Sequence, residues 1–317
     1  MKNIYAALAI LTLPILNSFA AEKGVPEWKG IFGNLKTIAI CAPARPAKSS
    51  QVDKALEKLR EAGYNVKVMP NARKNENSGK LVAADLRAAD FMQAYMDKEV
   101  DAIWCVRGGV GSIDTAKLLD WEKLRSRRIP VVGFSDITSL HNVMMKNKVG
   151  HIFSGPSLTQ MLSCDKKSVE WFGRTIAGGR HPAIQLQIVS NGKACSGYPA
   201  GGHLTLYQRA YCSGNAPASD GKIVFLETPN NPQKLAANEL EQLRKKGCFD
   251  RCAAVVFGNV KGRKEVIDRI INEFAAKVKC PVFRGLPYGH QSSNYLIDFE
   301  REVSITAEGV PKIADCR

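Results

Sequence analysis

Ile129-Pro130-Val131-Val132-Gly133-Phe134-Ser135-Asp136-Ile137-Thr138 is the stretch that decides the fold. Its first six residues form an apolar run of strand length. After Ser135 and Asp136 the pattern turns helical over Thr138–Lys146. A strand feeding a helix across so short a turn is half of a βαβ unit, and the flanking sequence repeats the pattern. Upstream, Leu35–Cys41 is a continuous apolar run closed by Ala42-Pro43, as a buried parallel strand requires. Ser50 then precedes Val52, Ala55, Leu56 and Leu59, one stripe of an amphipathic helix, and Gly63 stops it. Tyr64–Met69 and Ala102–Val106 read as further strands, Leu81–Met96 and Thr115–Leu124 as helices. Strands alternating with helices predict a parallel sheet covered on both faces, with ligands at the carboxyl ends of its strands.

This first α/β unit is expected over residues 30–160. Residues 161–185 are expected to link it to a second unit, through a helical segment at Lys166–Ala177 and then Gly178-Gly179-Arg180-His181-Pro182. Beyond it, Ile223–Leu226, Ala253–Phe257 and Val282–Phe283 read as core strands, with helices over Ala236–Lys246 and Lys264–Lys277. A smaller α/β unit is therefore expected over 186–317. Residues 1–20 read as an address: Lys2, an apolar run Ile4–Leu16, then Ser18-Phe19-Ala20. That is the pattern of a secretory signal peptide, with an uncleaved anchor as the alternative. The run is shorter than the ~20 residues a membrane-spanning helix needs. A periplasmic or secreted protein with no stable membrane span after cleavage is the expectation.

The chain has 317 residues, 45% of them hydrophobic, which excludes a disordered tail. Its net charge of +15 favours anionic neighbours. The basic residues are scattered, and no nucleic-acid-binding signature accompanies them, so nucleic acid is not an expected partner. Nine cysteines, an odd number, leave at least one thiol free unless a bridge forms between chains. Cys105 lies in an apolar run and reads as a buried thiol. Cys248 and Cys252 have the spacing of half a metal site, without a second pair to complete it. A Cys195–Cys212 disulfide stays open.

Ser135 stands where a tight strand-to-helix turn exposes a hydroxyl, beside the amide of the next residue at a helix amino end. That is the logic of a nucleophile elbow, although Ile137 occupies the place of the glycine expected two residues on. The same residues also describe an N-cap serine. Arg107-Gly108-Gly109-Val110-Gly111-Ser112 follows another strand and reads equally as an anion cradle, an arm of an oxyanion hole, or a tight turn. A serine nucleophile needs a base. Of the five histidines, His141 falls within a helix and His181 in the expected linker, where it would be exposed. His290 follows a strand end and a glycine-bearing loop, a usual place for a catalytic side chain. Glu227, ending the apolar run Lys222–Leu226, reads either as the group that orients such a base or as a solvated acid.

Six motifs then occur in a telling order: Arg107-Gly108-Gly109-Val110-Gly111, Gly133-Phe134-Ser135-Asp136-Ile137-Thr138, Phe153-Ser154-Gly155-Pro156, Gly201-Gly202-His203-Leu204, Phe225-Leu226-Glu227 and Gly285-Leu286-Pro287-Tyr288-Gly289-His290. From Thr37 to His290 the chain resembles the LD-carboxypeptidase family of serine peptidases, which includes muramoyltetrapeptide carboxypeptidases and microcin C self-immunity peptidases. The resemblance implies a flavodoxin-like amino-terminal domain, a smaller α/β carboxyl-terminal domain and a site between them. It implies Ser135 as nucleophile, Glu227 and His290 completing a triad, and the amides of Gly109 and Asp136 as oxyanion hole. A homodimer stays open, and no metal or cofactor is expected. The chain departs from the family at Val110, usually aromatic, and at His203, usually asparagine. It also departs after Glu227, at Thr228–Lys234, and after His290. The function so implied is removal of the terminal D-Ala from peptidoglycan tetrapeptides or muropeptides. The rivals are a two-lobed periplasmic muropeptide-binding protein and a related peptidase acting on acylated or nucleotide-conjugated peptides.

Overall fold

A computed structural model describes residues 27–73, 81–229 and 233–313 of the chain. The expected signal peptide, the stretch 230–232 and Cys316 lie outside the described residues. The amino-terminal unit runs β1 (Thr37–Cys41), α1 (Ser49–Glu61), β2 (Asn65–Val68), α2 (Ala84–Met96), β3 (Ala102–Cys105), α3 (Ser112–Lys117), α4 (Trp121–Leu124), β4 (Pro130–Gly133), α5 (Ile137–Asn147), β5 (His151–Ser154), α6 (Leu158–Met161) and α7 (Lys166–Ile176). The carboxyl-terminal unit runs β6 (Gln187–Ser190), β7 (Cys195–Gly197), β8 (Pro199–His203), α8 (Leu204–Cys212), β9 (Ile223–Thr228), α9 (Gln233–Lys245), β10 (Ala254–Val260), α10 (Lys264–Ala275), β11 (Val282–Arg284), β12 (Ile297–Asp298), β13 (Val303–Ile305) and β14 (Pro311–Ile313).

The first sheet has the order β2-β1-β3-β4-β5, all parallel, with β12 added antiparallel to β5. The five parallel strands follow the flavodoxin-like order, whose ligand crevice lies at the carboxyl ends of the strands. β3 is buried throughout and β4 nearly so, because helices cover both faces. The stripe Val52, Ala55, Leu56 and Leu59 is the buried face of α1. The second sheet has the order β6-β11-β10-β9-β8, with β8 to β11 parallel and β6 antiparallel. β14, β13 and β7 form a small antiparallel sheet. One apolar cluster holds Ile103 and Val131 from the first sheet with Phe225, Val256 and Phe283 from the second, so the two units share a core.

Several elements differ from the expectation. The helix over Thr115–Leu124 is two helices, because Asp120 turns the chain and caps α4, accepting from the Lys123 amide at 3.0 Å. The helix expected over Lys166–Ala177 forms as α7, but it does more than link the units: its Phe172 packs against Phe32 and Trp104 of the first unit, ring centroids 5.4 and 5.2 Å apart. His181 is not an exposed linker residue. Its ring stacks on Trp171 at 3.8 Å, and burial pushes its pKa down to about 4. β12 shows that the carboxyl-terminal half also contributes to the first sheet. Cys195 and Cys212 are free thiols, as are the six other described cysteines, Cys252 and Cys280 among them. Among the described residues no cluster of three or more His, Cys, Asp or Glu could hold a metal ion. No described helix is long and apolar enough to cross a membrane.

Candidate active site

Ser135 lies in the turn between β4 and α5 with φ at 61°, the left-handed region that a serine enters at a cost of order 1 kcal/mol. The surroundings hold it there. Ile137 fills the space beside Gly133 so closely that a Cβ at 133 would lie 2.4 Å from its Cγ2. The glycine that makes room in this elbow thus stands two residues before the serine rather than two after. From the other side the glycine-rich loop presses in: a Cβ at Gly108 would lie 2.7 Å from Ser135 Cβ and 3.0 Å from the Asp136 nitrogen. Asp136 ties the two turns together, its carboxylate accepting from the Ser112 amide at 2.8 Å and its carbonyl from the Ser112 hydroxyl at 2.5 Å.

Sequence reasoning missed the residue that anchors the glycine-rich loop from below. Arg87, on α2, is buried and donates to the carbonyls of Pro43, Gly111 and Val82 at 2.6, 2.7 and 2.9 Å, and to the Thr115 hydroxyl at 2.7 Å. Burial lowers its guanidinium pKa, and Asp114 and Asp136 oppose the shift. Sequence pattern gave no signal for it, since an arginine in an amphipathic helix ordinarily faces solvent.

The second unit brings the partners. Glu227 is not a solvated strand-end acid: β9 continues to Thr228, and Glu227 is fully buried within it. Its Oε2 lies 2.8 Å from His290 Nδ1, and His290 Nε2 lies 3.0 Å from Ser135 Oγ. The imidazole is 27% exposed, enough for a substrate to reach it. Phe134 packs against the His290 ring at 4.7 Å and meets Tyr288 edge-on, while the Tyr288 hydroxyl lies 2.7 Å from Ser154 Oγ. Burial, with the Glu227 charge as a lesser cause, keeps that phenol protonated.

Polar side chains fix the loop that carries His290. The Gly289 amide donates to Asn294 Oδ1 at 2.9 Å, and the Asn294 amide donates to Ser168 Oγ at 2.9 Å. Asn259 Nδ2 donates to the His290 carbonyl at 3.3 Å.

His203, noted in the sequence only as a departure, is part of the site. It pairs with Glu227 across β8 and β9, and its ring stands edge-on to His290 at 5.9 Å. Burial pushes its pKa down, Glu227 opposing. Its Nδ1 and the Glu227 Oε1 are both buried without hydrogen-bond partners. His141 stands apart, buried in α5 and pushed down to about 3.

Gly108, Gly109, Phe134, Ser135 and His290 line an open cleft of about 420 Å³, with Arg107 at its rim. Among the described residues neither the Gly109 nor the Asp136 amide donates a hydrogen bond. An alcohol, an imidazole and a carboxylate in hydrogen-bonded sequence, beside unengaged amides at a helix amino end, can carry out acyl transfer.

Comparisons with known proteins converge on the same chemistry. Residues 38–155 match the LD-carboxypeptidase N-terminal domain and residues 196–305 the LD-carboxypeptidase C-terminal domain. The chain is 28% identical over 287 residues to the probable murein peptide carboxypeptidase of Bacillus subtilis, covering 86% of this chain and 89% of that one. It is 28% identical over 286 residues to the murein tetrapeptide carboxypeptidase of Pseudomonas aeruginosa, covering 84% and 91%. In fold it is similar to an MccF-like protein from Streptococcus pneumoniae solved in complex with AMP, with a TM-score of 0.76 at 20% identity, covering 89% of this chain and 99% of that one.

Proposed function

The chain belongs to the LD-carboxypeptidase family of serine-type carboxypeptidases, and from that premise we propose that it removes the terminal D-alanine from murein stem tetrapeptides or released muropeptides. The observation that carries this reading is the continuous chain Ser135–His290–Glu227, with steps of 3.0 and 2.8 Å.

Ser135 Oγ attacks the carbonyl carbon of the bond joining the terminal D-residue to the residue before it, and its proton passes to His290 Nε2. Glu227 accepts from Nδ1–H, fixing the tautomer that leaves Nε2 free to act as base and stabilising the imidazolium that forms. The oxyanion develops against the amides of Gly109 and Asp136. Collapse breaks the C–N bond, His290 protonates the departing amine, and water then resolves the acyl-enzyme through the same groups. The left-handed turn at Ser135 supports an enzyme over a binding protein, since a binder has no use for a strained hydroxyl beside an imidazole.

Ser135→Ala is expected to abolish D-alanine release from a purified tetrapeptide muropeptide, read by mass spectrometry, with the circular dichroism spectrum unchanged. Equal rates in variant and parent would sink the assignment. Parallel incubation with an aminoacyl-adenylate mimic tests the second reading, for which the AMP-bound relative in fold speaks. Export through residues 1–20 belongs to the same proposal. Fractionated cells should yield a periplasmic or secreted protein beginning at Ala21, and a cytoplasmic protein beginning at Met1 would refute it.

A further inference from the structure

We propose that Cys252 and Cys280 form a disulfide that clamps the amino ends of β10 and β11. The two strands pair in parallel with Val255 opposite Val282, and the Val255 amide donates to the Pro281 carbonyl at 2.9 Å. Cys252 lies three residues before Val255 and Cys280 two before Val282, so both approach the same end of the ladder. The two lie one position out of register, just before β10 and β11 begin, and neighbouring strands run about 4.8 Å apart, a separation that a disulfide can span. Both side chains are packed into one core cluster with Val255 and Val282, each only 7% exposed.

The thiols are in hydrogen-bond contact. Through it Cys252 lowers the Cys280 pKa, and Cys280 is the main cause of the rise at Cys252.

The neighbouring sulfurs are disposed otherwise. Cys248 lies 3.6 Å from the Tyr207 hydroxyl, and burial pushes it up to about 12. Cys41 and Cys105 face each other across β1 and β3, but burial raises both, and the Cys41 thiol is directed at the Asp90 carbonyl.

The oxidant is a small-molecule disulfide or the cystine of a thiol oxidase. The Cys280 thiolate attacks one of its sulfurs, breaks its S–S bond and expels one thiolate. Cys252 then attacks the mixed disulfide at Cys280 Sγ and expels the second. Two electrons pass from the cysteine pair to the oxidant, and the two cysteine protons end on the expelled thiolates. The opposite ends of the same strands hold the site, through the Asn259 amide on the Tyr288 carbonyl at 2.7 Å and Asn259 Nδ2 on the His290 carbonyl. The clamp therefore fixes the base of the pair of strands that positions His290.

The test needs only the purified full chain and does not depend on the export or triad readings. The protein is equilibrated in glutathione redox buffers, acid-quenched, alkylated in denaturant, digested and mapped by mass spectrometry. The expected result is one linked peptide joining Cys252 to Cys280, with Cys41 and Cys105 alkylated. Dithiothreitol should then lower Tm by about 5 °C or more, and a Cys252→Ala/Cys280→Ala double variant should lose that response. Alkylation of both cysteines in the most oxidising buffer, or a Cys248–Cys252 bridge in place of the expected one, overturns the proposal. Should the double variant fail to fold, the map of the parent protein decides alone.

Discussion

The turn at Ser135 and the loop at His290 meet at 3.0 Å, yet different forces hold them. Ser135 is placed by steric packing: a left-handed backbone wedged between Ile137, which fills the space at Gly133, and the close-lying Gly108. His290 is placed by polar contacts, with Glu227 on its ring, Asn259 on its carbonyl, and Asn294 under the preceding amide. Steric placement is precise and intolerant, because packed backbone has nowhere to go. Hydrogen-bonded placement degrades by degrees, since each lost bond costs only part of the total. The first unit therefore presents a rigid hydroxyl, and the second brings an adjustable base to it.

Substitutions can break or sharpen this contrast. Glu227→Gln strikes the link between the two regions and should have the largest effect, a fall in kcat of about 10⁴ by analogy with the Asp→Asn change in a known serine protease triad. A loss below tenfold would leave Glu227 a structural acid. Gly108→Ala tests the steric side. The new Cβ meets backbone and the base of Ser135 rather than a flexible side-chain end, so kcat should drop about 100-fold for a displacement on the order of 1 Å. Near-parental turnover would show the elbow to be softer than argued. Asn294→Ala tests the polar side. It leaves the Gly289 amide unpaired at a cost of about 1–3 kcal/mol in stability. Turnover should fall by only about tenfold, read as kcat beside Tm. If Asn294→Ala proved more damaging to kcat than Gly108→Ala, the contrast would be reversed.

How much of this was legible in the sequence follows the same division. The elbow is local: an apolar strand, a serine and a helix lie within ten residues, so the pattern alone nominates Ser135, as nucleophile or as N-cap. The strands around it were readable because burial on both faces makes them continuously apolar, as in β1, β3, β4, β9 and β10. β8 was not, since Pro199-Ala200-Gly201-Gly202-His203 has no strand former. Its glycines are there for contact, and a Cβ at Gly201 would lie 2.1 Å from the Phe225 carbonyl oxygen. β12 is too short, at two residues, to show a period, and β5, His151-Ile152-Phe153-Ser154, sets its apolar pair between polar residues. Pattern could nominate Glu227 and His290 but could not bring them together, because their contact spans 63 residues and depends on β9, β10 and β11 pairing in register. The family resemblance supplied that link. It offered nothing for Arg87, whose role exists only once Pro43, Gly111 and Thr115 have converged on it.

The short strand β12 has a consequence for how the protein is made. Ile297 and Asp298 return to pair with Ser154 and Phe153, and His151 holds Asp298 at 2.7 Å. A ribosome must release nearly the whole polypeptide before that border of the first sheet is sealed. Until then the nascent amino-terminal half carries an open row of backbone donors and acceptors, the kind of margin on which newly made chains stick to one another. Severing the polypeptide between its halves would leave that row on one fragment and its cover on the other, so the two pieces would have to be supplied together to rebuild the enzyme.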